Sequence, residues 1–215
     1  MSPPAGTGKP RFPLPAPPYD PKVQAAFDRV NMGALSPQNF LRVLAHQPRI
    51  MDNIVTLGGT LIYRTALEER LREIAIFRVA ARTRSNYEWA MHRALFEARC
   101  ELSAEQIEAL RSHPPSAPCW DDTERLVISA VDELHDTSTI SDALWARLRI
   151  RWDQPQLLEL LVVIGYYHML AFFLNATGVA PEEGARHLAA FGAASAPSAS
   201  ATTRLNRGID DHSND

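Results

Sequence analysis

The sequence predicts an all-α fold on three observations. Helix-opening motifs recur along the chain, the apolar residues between them return every three or four positions, and no segment alternates apolar and polar residues as a half-buried strand would. At 215 residues and 46% hydrophobic content, the chain is long enough to bury one sizeable core. The expected organisation is a proline-rich arm over 1–21, a helical domain over 22–190 and a poorly ordered tail over 191–215. The arm holds eight prolines, which remove amide donors and favour an extended segment. The tail is rich in Ala, Ser and Thr, carries few large apolar groups and includes Asp210, Asp211 and Asp215.

Within the domain a first helix is expected over 22–30. Ser36-Pro37 offers a cap followed by proline at the first helical position, which predicts a second helix to about Ala45. A third begins near Pro48 and carries Ile50, Ile54, Leu57 and Leu61 at helical spacing. Its Gly58-Gly59 marks either a kink or a close helix contact, because glycine weakens a helix interior. Thr65-Ala-Leu-Glu68 and Ser85-Asn-Tyr-Glu88 read as capping boxes, in which hydroxyl and glutamate each satisfy an end amide, and they are expected to open the next two helices. Ser103-Ala-Glu-Gln106 opens a short helix that ends before His113-Pro114-Pro115. Asp121 or Asp122 caps one through His135, and Ser141 and Asp153 cap two more. The last long helix is expected to run from Gln154 through Asn175 and to stop at Gly178, with a final short helix from Pro181. Its apolar stretch over 157–176 approaches the length of a membrane span. Glu159 and His168 interrupt it, so it reads as a core or subunit-interface helix, and no membrane partner is expected.

The formal charge of −3 and the lack of a basic run argue against a nucleic-acid partner. No charged segment followed by an apolar one marks a secretory signal, and a cytoplasmic location is expected. Cys100 and Cys119 lie nineteen residues apart with no ligand-spaced histidine beside them, so free thiols are expected, with neither a metal nor a cofactor. Zinc-protease, phosphate-loop, dinucleotide and nucleophile-elbow motifs are missing from the sequence.

What needs a chemical reason is a pair of ionisable groups in apolar helical sequence, Glu73 and His92. Glu73 shares a helix face with Ile76, Phe77 and Ala80, where a carboxyl tends toward a raised pKa suited to proton transfer; the alternative is an ion pair with Arg70, Arg72 or Arg78. Glu88 and His92 are four apart and therefore neighbours, so Glu88 either orients His92 or simply completes its capping box. His92 is either a satisfied core histidine or the general acid or base. Arg78 falls on the stripe of Leu67, Leu71 and Ile74, where it binds a substrate carboxylate or pairs with Glu73 or Glu88.

A Glu followed on the next helix by a Cys-x-x-Cys-x-x-x-His pattern is the motif of the carboxymuconolactone decarboxylase family, which includes the alkylhydroperoxidase D-like proteins. This chain resembles that family through Glu73 and His92, while the two cysteine positions fall on Ser85 and Glu88. The resemblance extends from about Pro48 to His187 and takes in the segment around Tyr166, Tyr167 and His168. It implies a multi-helix bundle assembled as a homo-oligomer, commonly a trimer or hexamer. With the cysteines replaced, it implies a cofactor-independent lyase similar to 4-carboxymuconolactone decarboxylase, acting on a small carboxylated lactone or unsaturated acid. The catalytic set would then be His92, Glu73 and Glu88, with Arg78, Tyr87, Trp89 and His168 around the substrate. The alternatives are an alkylhydroperoxidase D-like thiol oxidoreductase, which the missing thiol pair disfavours, and an oligomeric small-molecule-binding protein without turnover.

Overall fold

The computed structural model describes residues 10–30 and 33–191; the expected arm before Pro10 and tail beyond Phe191 lie outside them. Among the described residues there are nine α-helices and no strand. They are α1 (Pro21–Arg29), α2 (Asn39–Leu44), α3 (Pro48–Tyr63), α4 (Glu69–Thr83), α5 (Asn86–Phe96), α6 (Ala104–Ser112), α7 (Asp122–Thr137), α8 (Asp142–Arg151) and α9 (Gln154–Thr177). Short 3-10 segments at Gly33–Leu35 and Glu183–Leu188 complete the order.

The centre of the bundle is α4, which packs against α9, α7, α5 and α6. Every residue of α4 from Leu71 to Ala80 is buried, including Arg72, Glu73 and Arg78, so its charged side chains must find partners inside the protein. A smaller core under α1–α3 gathers Val23, Phe27, Leu41, Met51 and Val55. Residues 10–20 lie across this end: Arg11 N donates to Thr177 O (2.7 Å), and Arg42 and His46 donate to the carbonyls of Pro15 and Pro13.

Several helix starts form as the sequence predicts. Ser103 with Gln106, Asp121 with Glu124 and Asp153 with Gln156 are complete capping boxes, and Ser141 caps α8. Gly178 ends α9 in the left-handed region at φ 70°. Two expected starts do not form. The second helix begins at Asn39 behind Gln38, beyond the Ser36-Pro37 signal. At the head of α4, Thr65 Oγ1 is engaged with the Glu159 carboxylate and accepts from Leu67 N, so the helix starts only at Glu69. A long-range carboxylate has outcompeted the local cap. At Gly58 a methyl group would lie 2.5 Å from the Tyr166 hydroxyl, so this glycine serves a close contact of α3 with α9.

Candidate active site

The site is built by the hairpin of α4 and α5. Arg84 at φ 54° closes α4 in the left-handed region and Ser85 starts α5, so the chain reverses within two residues and lays His92 beside Glu73. His92 Nδ1 is 2.6 Å from Glu73 Oε2, and its Nε2 is 3.5 Å from Glu88 Oε2. Behind Glu73, Arg72 donates from Nε (3.0 Å) and Nη2 (2.8 Å) to Oε1 and from Nη1 to Ile62 O (3.0 Å). The order Arg72, Glu73, His92, Glu88 is thus a buried charge relay. Phe96 stacks on the imidazole at 5.3 Å, and the Tyr167 ring meets it edge-on at 5.1 Å.

Where the relay ends, a cavity of about 490 Å³ begins. His92 and Glu88 face it together with Phe40, Val55, Ile62, Met91, Leu95, Phe96, Leu170 and Tyr87, Tyr166 and Tyr167. Glu73 does not line it. Because Nδ1 donates to Glu73, Nε2 is the nitrogen that can exchange a proton with a molecule in the cavity. Burial pulls the imidazole toward neutrality, but the Glu73 charge and hydrogen bond, with the Glu88 charge, outweigh it and raise its pKa above 6.5. Burial pushes Glu88 up to about 7, only partly opposed by His92 and reinforced by Glu73 and Glu182. A carboxyl raised to about 7 and an imidazole raised above its ordinary value, both open to a cavity, are the equipment of proton transfer.

The alternatives left by the sequence for Glu88 are resolved by its position. Ser85 Oγ accepts from Glu88 N at 3.4 Å, but the Ser85 amide donates to Ala80 O, so the return half of the box is missing and the carboxylate turns to His92. Glu73 is the converse of an isolated carboxyl in apolar surroundings, since it is clamped between a guanidinium and an imidazole. Tyr87 lines the cavity, with its hydroxyl donating to Glu182 Oε1 at 2.7 Å.

Three of the expected substrate contacts lie elsewhere. Arg78 pairs bidentately with Asp132 (2.7 Å twice) and donates to Leu110 O and His113 O, so its fork is occupied by α7 and the end of α6, with neither Glu73 nor Glu88 as partner. Trp89 is buried between Phe77 and Phe191, each ring 5.4 Å away. His168 lies on the far side of α9, donating from Nδ1 to Ile164 O and accepting at Nε2 from His135 Nδ1 (3.0 Å). None of the three lines the cavity. Conversely, Arg72 and Tyr167 stand at the site although neither is among the catalytic or substrate residues expected from the sequence. Arg72 was legible only as one of three arginines near Glu73. Tyr167 stood in an aromatic run in which helical spacing cannot say which ring faces inward.

Residues 48–132 match the carboxymuconolactone decarboxylase family. Over this segment the chain is similar to that family. The carboxymuconolactone decarboxylase segment contains the whole relay from Arg72 to His92, whereas α9, which supplies the opposite wall of the cavity, lies beyond it. Comparison with curated proteins gave no match. Among solved structures, the chain is similar to an uncharacterized peroxidase-related protein from Silicibacter sp. TM1040, at 19% identity and a TM-score of 0.71. It is also similar to an alkylhydroperoxidase AhpD core protein, an uncharacterized peroxidase-related protein from Ralstonia eutropha JMP134, at 14% identity and a TM-score of 0.69. Each likeness covers 82% of this chain and 94% of the other, and establishes a shared fold.

Neither free thiol lines the cavity. Cys100 is buried, and burial, with the charges of Glu73 and Glu69, pushes its thiol up to about 11, which suppresses the thiolate needed for redox exchange. Among the described residues no group of three His, Cys, Asp or Glu side chains is placed to hold a metal ion.

Proposed function

We propose that this protein is a cofactor-independent lyase that uses His92 as proton donor to decarboxylate a small, largely apolar unsaturated acid or carboxylated lactone. The observation that supports this most directly is the relay ending at His92 Nε2 beside Glu88, at the wall of an apolar cavity. In the proposed step the bond to the departing carboxylate breaks and its electron pair passes into a conjugated carbonyl. His92 then gives its Nε2 proton to the carbon that has lost carbon dioxide, and the relay is reprotonated from Glu88 and solvent. The imidazolium offsets the negative charge of acid and enolate alike. With Arg78 engaged by Asp132, the other cations along the cavity are Arg29 and Arg64, both exposed. The substrate body should therefore be apolar, and a second carboxylate, if present, should sit at the mouth.

A thiol peroxidase reading would require two cysteines at the positions of Ser85 and Glu88, and the raised pKa of Cys100 weighs against its substituting. The experiment is turnover of a panel of carboxylated lactones and unsaturated acids, following carbon dioxide and product by mass, with wild type beside Glu73→Gln and His92→Ala. Product from wild type alone supports the assignment. Release that persists in both variants places the chemistry elsewhere, and binding without turnover by wild type leaves a small-molecule-binding protein.

A further inference from the structure

Most hydroxyls along the cavity are already spent. Tyr87 donates to Glu182 Oε1 (2.7 Å) and Tyr166 to Ile54 O (2.9 Å), while Thr56 and Thr60 turn back to the carbonyls of Asp52 and Thr56 in their own helix. Tyr63 is exposed at the mouth. Tyr167 is different. It lines the cavity and is 4% exposed, yet among the described residues its hydroxyl has no hydrogen-bond partner, and packing does not shut it off as it does the unpartnered Trp89 Nε1. A phenol desolvated by apolar walls and left without an acceptor is costly, so its partner is whatever fills the space.

The place of this hydroxyl gives it a use. The Tyr167 ring meets the His92 imidazole edge-on at 5.1 Å, so the phenol and the proton-bearing nitrogen share one region of the cavity wall. Of the charges that bear on the hydroxyl, Glu88 outweighs Glu73, as expected for a group nearer the end of the relay that opens to the cavity. Burial, reinforced by those charges, holds the phenol well above its ordinary value of 10, so it keeps its proton wherever His92 titrates. The residue comes from the middle of the 24-residue α9, a rigid support that fixes the donor's direction.

We propose that Tyr167 is a further catalytic residue, whose hydroxyl donates to the substrate carbonyl oxygen that becomes the enolate oxygen. The assignment rests on the decarboxylation reading above. As the bond to the carboxylate breaks and carbon dioxide departs, its electron pair moves into the conjugated system and charge builds on that oxygen. Tyr167 strengthens its hydrogen bond there without giving up its proton. When His92 Nε2 protonates the carbon, the pair returns from oxygen and the carbonyl re-forms. A fixed neutral donor aimed where charge develops needs no reorganisation during the reaction. The two groups therefore divide the work: His92 moves the proton and Tyr167 holds the oxygen.

The test pairs turnover with a probe of the oxygen subsite, using Tyr167→Phe beside wild type. The variant keeps the ring and removes only a hydroxyl without a partner in the chain, so its melting temperature should be unchanged or higher. On the substrate found by the panel, kcat and kcat/KM should fall together by about 10²-fold with KM little changed. The probe is 4-nitrophenolate, which carries on one oxygen of an apolar ring the charge an enolate would carry. Wild type should bind it and shift its visible band to shorter wavelength, and the variant should bind it about tenfold more weakly with the band near its free position. A wild type that does not bind the phenolate, a variant that binds it as wild type does, or turnover untouched by Tyr167→Phe overturns the inference; the last of these leaves the lyase reading standing. A Tyr167-dependent phenolate signature without turnover of any acid keeps the oxygen subsite but overturns its catalytic role together with the lyase reading.

Discussion

Helix α4 buries two arginines, Arg72 and Arg78, less than two turns apart, and they have opposite fates. Arg78 ends in a closed cluster, its fork filled by Asp132 and two backbone carbonyls. Arg72 starts an open one: it holds Glu73, Glu73 holds His92, and the last members, His92 Nε2 and Glu88, face a cavity. Both clusters answer the same electrostatic demand, that a buried charge be paired. The difference is valence. A cluster that satisfies itself stabilises the fold, whereas one that leaves a titrating atom at a cavity wall can do chemistry.

The two clusters separate most sharply under substitution of His92 and Arg78. His92→Gln keeps a donor toward Glu73 but cannot carry the proton. Turnover on the substrate found by the panel should fall by about 10²–10⁴-fold with the circular dichroism spectrum retained. Arg78→Met should do the reverse, destabilising the protein by about 3 kcal/mol in urea titration because Asp132 keeps only Arg82 at 3.7 Å and the carbonyls of Leu110 and His113 lose their donor, while turnover per folded molecule persists.

A smaller effect separates the clusters by pH. Glu88 has its folded pKa raised from 4.5 to about 7, so its proton contributes stability that is complete below about 4.5 and is lost as pH rises through 7. Glu88→Gln should abolish that loss and make the variant about 2–3 kcal/mol more stable than wild type at pH 8, at a cost in activity. Folding free energies at pH 5 and pH 8 check it, and a difference that does not change with pH refutes the assignment. His92, also raised, adds stability that is present below 6.5 and lost as pH climbs through its folded value. The alkaline limb of kcat/KM should follow His92, and the imidazole pKa read by NMR should fall further in Glu73→Gln, which removes the larger upward influence, than in Glu88→Gln. The smallest expected change is none: Cys100→Ala with Cys119→Ser should retain wild-type turnover and its pH profile.

The helices were legible because their starts are local chemistry. Ser103, Asp121 and Asp153 each have the whole capping box within four residues, and all three form. Glu73 and His92 were legible as a pair through the family pattern, and their meeting needed only a short turn at Arg84 and Ser85. What failed depended on partners far along the chain. Thr65 was taken by Glu159, ninety-four positions away, and Arg78 by Asp132, fifty-four away. Glu88 shows the limit from the other side, because Ser85-Asn-Tyr-Glu88 is a correct capping sequence whose glutamate the fold spends elsewhere. Trp89, between Tyr87 and Met91, sits on a helix buried on most sides, where spacing alone does not say which side is cavity and which is packing.

Residues 10–20 carry a consequence for how this molecule can be watched. Five of the eleven are proline, so the segment binds through carbonyls, taking donors from Arg42 and His46. Amide hydrogen exchange, which reports on N–H groups, is nearly blind to such a strap. Its detachment would register instead in the imidazole resonances of His46, whose Nε2 loses the Pro13 carbonyl, and in the Thr177 carbonyl at the end of α9, which loses Arg11. A spectroscopist following those groups would see the strap leave while the exchange map changed chiefly at the single Arg11 amide.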